Sequence, residues 1–360
     1  MATRNEAPVL MAIHPGSILK EELMERGISQ KDFAKRIEMQ PSHLSEIIKG
    51  KRSITKQVAD KLEEALGIPS IDWVNLQIRF DYDTQENEER QIAEKKAYEE
   101  YQEYNAIFDI KTLASRANFT STLYSEIVAF LKSEFMLPEP AKLSIQTTGL
   151  FKKSAKVGKD PRMIMTWMLL ARKFAYSSPQ QNEYDSSRID ELVPQISSIL
   201  HKNENTIDNL TKKFAEFGIV FGVVGKVAGA SIDGYSFDYN DHPCIIVTMR
   251  YDRIDNLAFA VMHELGHIKN HDTEDCRVNL EDYDNESSEE KEANSFAANA
   301  LIPDSKWKGI PKVQLHPLKI QRLYANWAEQ NGYNKWIALG RVSHETGMFK
   351  FRNDSSRRVL

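Results

Sequence analysis

Cysteine is almost missing from this chain: Cys244 and Cys276 are the two among 360 residues. Two thiols cannot build a disulfide framework or supply a four-cysteine metal knuckle. No apolar run approaches the length needed to cross a bilayer. The start, MATRNEAPVL, lacks the charged-then-apolar order of a signal peptide. A cytoplasmic protein with no membrane partner is the expectation. Neither sign of charge is in large excess: the formal net charge is −5, with 28% charged and 41% apolar residues. That balance does not exclude nucleic acid, because a local basic patch matters more than the sum. At this length two or three domains are expected.

Four short helical patterns fill residues 15 to 66. PGSILKEELMERG places Ile18, Leu19 and Leu23 on one face, and Gly27 ends it. SQKDFAKRI opens with Ser29 and Asp32 in capping-box spacing and buries Phe33, Ala34 and Ile37. QPSHLSEIIKG puts Pro41 in the first turn, where its missing N–H costs nothing, and Gly50 after the end. Thr55 is the expected cap of TKQVADKLEEALG, and Trp73, Leu76 and Phe80 form a closing apolar segment. Residues 84 to 105 are strongly charged and free of Gly and Pro, the composition of a solvated linker helix. Helical patterns continue from 109 to about 215. After Gly218, GIVFGVV, GYSFDY and CIIVTM are rich in β-branched and aromatic residues and separated by Asp233-Gly234 and Asn240-Asp241, which predicts a small sheet.

The stretch NLAFAVMHELGHIKNH carries the chemistry. Residues four apart share one face of a helix, so His263 and His267 can each bring a ring nitrogen to one tetrahedral zinc. Glu264 projects beside them and can act as general base toward a water at the metal. Ala258, Val261, Met262, Leu265 and Ile268 form a buried stripe on the same helix. A catalytic zinc needs a third protein ligand and an open position. His271 is excluded, being about 12 Å along the axis from His263 at roughly 1.5 Å per residue. The extended metzincin pattern is also absent, because Asn270 and Thr273 occupy its offsets. A carboxylate from ESSEEKEANSFAANALIP is the remaining source. Ala293, Phe296, Ala297, Ala300 and Leu301 face inward there, which leaves Glu289 or Glu290 toward the metal and turns Glu292 away. Asn294, one turn after Glu290, is a candidate partner for it. His271, His316 and Tyr251 are candidates for stabilising an oxyanion.

DGYSFDY, HPCIIVTMRYDRIDNLAFAVMHELGH and EKEANSFAANALIP together resemble the ImmA/IrrE family of metallo-endopeptidases over residues 218 to 303. The resemblance implies Glu290 as third zinc ligand beside His263 and His267, with Glu264 catalytic. It also implies a zincin-like fold and cleavage of a repressor- or antitoxin-like protein, or of this chain itself. GRVSHETG, from Gly340, resembles a segment near that family's C-terminus, where His344 falls. CIIVT is the expected edge strand for an extended peptide, and the linker near 84 to 108 the expected accessible cut.

The paired helices SQKDFAKRI and QPSHLSEIIKG match a helix-turn-helix, whose second helix enters the major groove near its N-terminus. Gln40, Ser42, His43 and Ser45 would face base edges, with glutamine apt for adenine. Lys49, Lys51, Arg52 and Lys56 suit phosphate contact, and Gln30 can add another. HPGSILKEEL, GKRSIT and WVNLQIRFDYD further resemble HigA-type antitoxins of the XRE-like repressors, which implies a homodimer on operator DNA. Glu38 stands where that family usually has Gly in the inter-helix turn.

The expectation is an α+β, mostly helical protein: an all-α helix-turn-helix domain plus a zincin-like domain with a small β-sheet. The expected boundaries are residues 1–83 for the DNA-binding domain, 84–108 for a charged helical linker, 109–215 for a helical region and 216–360 for a zinc peptidase-like domain. One Zn2+ per chain is expected. The competing reading is a non-enzymatic antitoxin and autorepressor that binds operator DNA and a RelE-like toxin, with a structural or sensory zinc.

Overall fold

A computed structural model describes residues 11–140, 142–143, 160–179, 182–270, 288–307, 309, 316–348 and 351–359. The chain forms two compact units: residues 1–102 with 121–130, and residues 103–120 with 131–360. The protein is mostly helical with one three-stranded sheet. Among the described residues no helix is long and apolar enough to cross a membrane.

The first unit opens with helices α1 (Pro15–Glu25), α2 (Gln30–Arg36), α3 (Pro41–Ile48) and α4 (Lys56–Leu66). Their ends are closed by local chemistry. Ser29 and Thr55 cap α2 and α4 by accepting the Asp32 and Val58 amides, and Pro41 opens α3. His14 caps α1, its Nδ1 accepting the Gly16 amide at 2.9 Å. Gly16 has no alternative: a Cβ there would meet the Ile47 carbonyl oxygen at 1.9 Å. Leu19, Phe33, Leu44, Ile47 and Leu62 fill the core, which Trp73 closes. Glu38 sits in the left-handed region at φ 48°, a conformation that costs a residue with a Cβ. Lys61 bonds the Ile37 and Glu38 carbonyls at 3.0 and 3.2 Å, and so holds this turn from α4.

Helix α5 runs unbroken from Ser70 to Ile107. The charged stretch 84–105, expected as a separate solvated linker helix, is its second half and is not fully solvated. Glu94, Ala97 and Tyr104 are buried. Glu94 accepts the backbone amides of Tyr124 and Ser125, the first of them at the start of helix α7 (Tyr124–Phe135), which follows α6 (Ile110–Arg116). An acid with that task lies in a charge run yet belongs to the interior.

In the second unit, helices α8 (Pro161–Tyr176), α9 (Ile189–Lys202) and α10 (Thr206–Glu216) precede strands β1 (Val220–Val223), β2 (Gly234–Tyr239) and β3 (His242–Val247). The strand order is β1-β3-β2, with β1 parallel and β2 antiparallel to β3. Asn240 and Asp241, both at positive φ, make the two-residue turn of the β2–β3 hairpin. This order corrects one expectation: the CIIVT strand is central and paired on both sides, so among the described residues the edges are β1 and β2. Phe221, Ile245 and Val247 pack in one core with helix α11 (Ile254–Lys269). On the opposite face Arg172 of α8 bonds the Tyr235 hydroxyl, at 2.7 Å through Nη2.

Helix α12 (Ser288–Leu301) lies against α11, and α13 (Pro317–Gln330) and α14 (Lys335–Thr346) complete the unit. His201 joins two of these helices. Its Nε2 bonds the Leu301 carbonyl at 2.8 Å, and its Nδ1 accepts the Asn334 amide at 2.9 Å. The start of α11 is held by Asp255, whose two oxygens take Arg357 Nε and Nη2 at 3.0 and 2.7 Å, with Arg253 bonded as well. Burial pushes the Asp255 carboxyl upward, but these guanidiniums outweigh it and hold it below its ordinary range.

His14 yields a stability test. Burial lowers its pKa from 6.5, with Asp81 opposing, and its Nδ1 must be unprotonated to accept the Gly16 amide. The folded state therefore favours the neutral ring. Stability is full above the unfolded value and falls as pH drops below about 6.5 toward the lower folded value. Denaturant unfolding of the first unit should show this slope between pH 7 and 5. His14→Asn, which keeps a capping acceptor without titrating, should flatten it.

Candidate metal centre and nucleic-acid interface

Helix α11 is buried along nearly all its length, and the four-residue spacing turns two imidazoles toward the same point. His263 and His267 Nε2 lie 3.1 Å apart. Glu290, in the first turn of α12, brings Oε2 to 3.2 Å from His263 Nε2 and Oε1 to 3.7 Å from His267 Nε2. Ala293 and Ala297, small and fully buried, form the inner face of α12 behind it. Of the two glutamates that helical geometry leaves open, Glu290 is the one in the cluster, and Glu292 is exposed.

The donor set can be tested for fit. Four ligands around zinc at about 2.0–2.1 Å stand roughly 3.3 Å from one another. The two imidazole nitrogens stand near that edge at 3.1 Å, and each is approached by one oxygen of Glu290, at 3.2 and 3.7 Å. His263 Nδ1 is 2.9 Å from Asn294 Oδ1. A carbonyl oxygen there accepts a hydrogen bond from Nδ1–H and leaves the Nε2 lone pair facing the cluster. The structure places Asn294 on His263.

Glu264 is 3% exposed and not among the three clustered ligands. Burial raises its pKa to about 6, against the opposing pull of His263 and a hydrogen bond from Ser236. Ser236 Oγ donates to Oε2 at 2.7 Å. For His263, burial pulls downward, but Glu290, Glu264 and Asn294 outweigh it and the net shift is upward. The pocket's acidic groups thus favour positive charge at the imidazole cluster.

The oxyanion candidates lie in other settings. Tyr251 is 46% exposed, with the Arg250 and Arg253 guanidiniums 4.9 and 5.9 Å from its ring. His316 caps α13 and is exposed, and His271 falls outside the described residues. His344 is exposed and stacks on Phe259, which in turn stacks on His263. Ser236 and Gly234 escaped the sequence reading. The period of two along GYSFDY puts them on one face, but nothing local says that face meets Glu264.

On the first unit Gln30 begins α2 and Gln40 is the N-cap residue of α3, with no side-chain capping bond of its own. Both are exposed, as are Ser42, Lys49, Lys51, Arg52 and Lys56, whereas His43 and Ser45 are half-buried. Leu44, Ile47 and Ile48 turn the other side of α3 into the core. Arg52 lies 3.4 Å from Glu46 and Lys56 3.9 Å from Asp60, exposed pairs worth little that a phosphate can replace.

Residues 19–73 match the helix-turn-helix family, and residues 223–331 match the IrrE N-terminal-like domain, a Peptidase M78 family. Virulence-associated protein I of Dichelobacter nodosus is 36% identical over 92 residues, 25% of this chain and 82% of that protein. The HTH-type transcriptional regulator YddM of Escherichia coli is 39% identical over 69 residues, 19% of this chain and 73% of that protein. Among solved structures, a HigA-family addiction-module antidote protein from Coxiella burnetii is 32% identical and covers 24% of this chain and 95% of its own, with a TM-score of 0.22. A putative plasmid-maintenance antidote protein from Nostoc punctiforme is 34% identical, covering 22% and 90%, with a TM-score of 0.21. The chain belongs to the helix-turn-helix regulators. It is a DNA-binding regulator fused to an IrrE-like domain of metallopeptidase type.

The Asn294 contact has a measurable consequence. Asn294→Ala should lower Zn2+ affinity about tenfold or more with the fold intact. Competition against a chromophoric chelator would measure it; an unchanged affinity would remove Asn294 from the site.

Proposed function

We propose that the second domain hydrolyses a peptide bond in a repressor- or antitoxin-like protein, with zinc held by His263, His267 and Glu290. The observation that carries this reading is three metal-binding side chains whose ligand atoms all lie within 4.8 Å of one another, beside a buried acid that is not one of them. A purely structural zinc has no use for Glu264. When bound, zinc supplies Lewis acidity toward water and the scissile carbonyl.

The chain's own residues do the rest. Glu264 takes the proton of the attacking water and returns it to the leaving amide nitrogen, which restores the carboxylate. His263 and His267 stay neutral at Nε2, as a ligand nitrogen requires, and Asn294 keeps the first of them in that tautomer. Among the described residues β2 pairs only with β3. Its outer edge, next to Glu264, takes the role first expected of CIIVT: it pairs with an extended substrate. An extended substrate also counts against self-cleavage near 84 to 108, because the stretch up to Ile107 is helical and would first have to unwind. Cleavage in trans is the expected course.

In this reading the first domain delivers the hydrolase to operator DNA. Gln40, Ser42, His43 and Ser45 face bases, while Gln30, Lys49, Lys51, Arg52 and Lys56 meet phosphates. The zinc-loaded chain should cut its partner, Glu264→Gln should stop cleavage with zinc retained, and Glu290→Ala should lose the metal. Intact mass and metal content read all three. Continued cleavage by Glu264→Gln would remove the general base, whereas zinc without cleavage of any partner would favour the antitoxin reading. For DNA, Lys51→Ala should reduce the slope of log affinity against log salt by about one. Gln40→Ala should instead relax base preference and leave that slope unchanged, as fluorescence anisotropy across a salt series would show.

A further inference from the structure

Glu264 is fixed from outside its own helix. Its carboxylate lies over Gly234 of β2, where an added Cβ would come within 2.5 Å of Oε1 and 3.0 Å of Cδ. Two residues further on, the Ser236 hydroxyl donates to Oε2 at 2.7 Å. Side chains two apart in a strand point the same way. Gly234 and Ser236 therefore make one cradle, the first by leaving room and the second by donating. Tyr235, between them, faces the other side, where Arg172 bonds its hydroxyl.

We infer that Ser236 is a positioning residue for the proposed hydrolysis, and that Gly234 supplies the space in which it acts. The inference rests on the metallopeptidase reading. The last torsion of a glutamate is broad, so a carboxylate free at both oxygens has no single orientation. Here Oε2 is tied to a strand whose own backbone is fixed by pairing with β3. That sets the carboxylate plane and leaves Oε1 as the oxygen that takes the proton. Ser236 is 6% exposed and directs its hydroxyl to an acid on another element, 28 residues away in sequence. The same strand is the edge proposed for substrate pairing, so a docking peptide and the base are referred to one backbone.

The test uses the full-length protein loaded with Co2+, whose visible absorption reports its ligands, titrated with acetohydroxamate. This probe chelates the metal and shares its hydroxyl proton with the base, so its affinity reads the carboxylate's position without turnover. Ser236→Ala should bind one Co2+ as the wild type does but weaken acetohydroxamate about tenfold. Ser236→Thr, which keeps the hydroxyl, should stay within about twofold of wild type. Gly234→Ala should weaken the probe in the same direction as Ser236→Ala. In a Glu264→Gln background Ser236→Ala should add nothing, as coupling through Glu264 requires. A loss of equal size in that background, or no loss in the single variant, would overturn the inference. A wild type that shows the coupling yet cleaves nothing would sink the peptidase reading and leave the role of Ser236 standing.

Discussion

Burying His263, Glu264 and His267 within five residues takes two imidazoles and a carboxylate out of water at one place. Left unpartnered, each would cost several kcal/mol, and the helix would not hold them. The surrounding architecture reads as a set of answers to that constraint. Helix α12 supplies Glu290 and Asn294 to the histidines, and β2 supplies Ser236 to Glu264. Small residues on α12 and the bare Gly234 on β2 let both neighbours come close enough to do so. A metal held by His263, His267 and Glu290 would complete the compensation, its charge meeting the acidic groups that surround it.

The same logic governs the far end of α11. Asp255 sits in its first turn, where a negative charge suits the helix dipole, but it is buried and needs cations. Arg357 meets it with both nitrogens of one fork, and Arg253 adds two further contacts. A planar guanidinium matches a carboxylate in this way where a lysine would not. The helix that presents the site is thus pinned by polar pairs at its start and at the ligand-bearing turns, with apolar packing along the rest.

The helical head and the H-E-x-x-H pair were legible because each is local: caps, glycines and a four-residue spacing are read within one turn or two. Glu38 was not: a glutamate in a turn that usually holds glycine predicts an altered turn, yet the residue keeps a positive φ. Glu290 was half legible. Periodicity reduced the choice to two residues, and a family resemblance was needed to choose between them. What could not be read was long-range. The strand order that puts CIIVT in the middle depends on a parallel pairing across the sheet, which no alternation pattern encodes. Glu94 and Tyr104 looked like members of a solvated charge run, and only the segment after residue 120 gives them an interior. Ser236 was silent because its partner lies on another element.

The pairing of Arg357 with Asp255 sets an order of events during synthesis. The first core is closed by Trp73, early in the chain, whereas α11 gains its second cationic partner, after Arg253, only when residue 357 has left the ribosome. At roughly 5–20 residues per second, the interval between these two points is on the order of tens of seconds. During that time a nascent chain already holds every residue of the helix-turn-helix core, while helix α11 still lacks its second arginine. The order of synthesis alone lets the first core close before the helix that carries the ligand cluster is fully pinned.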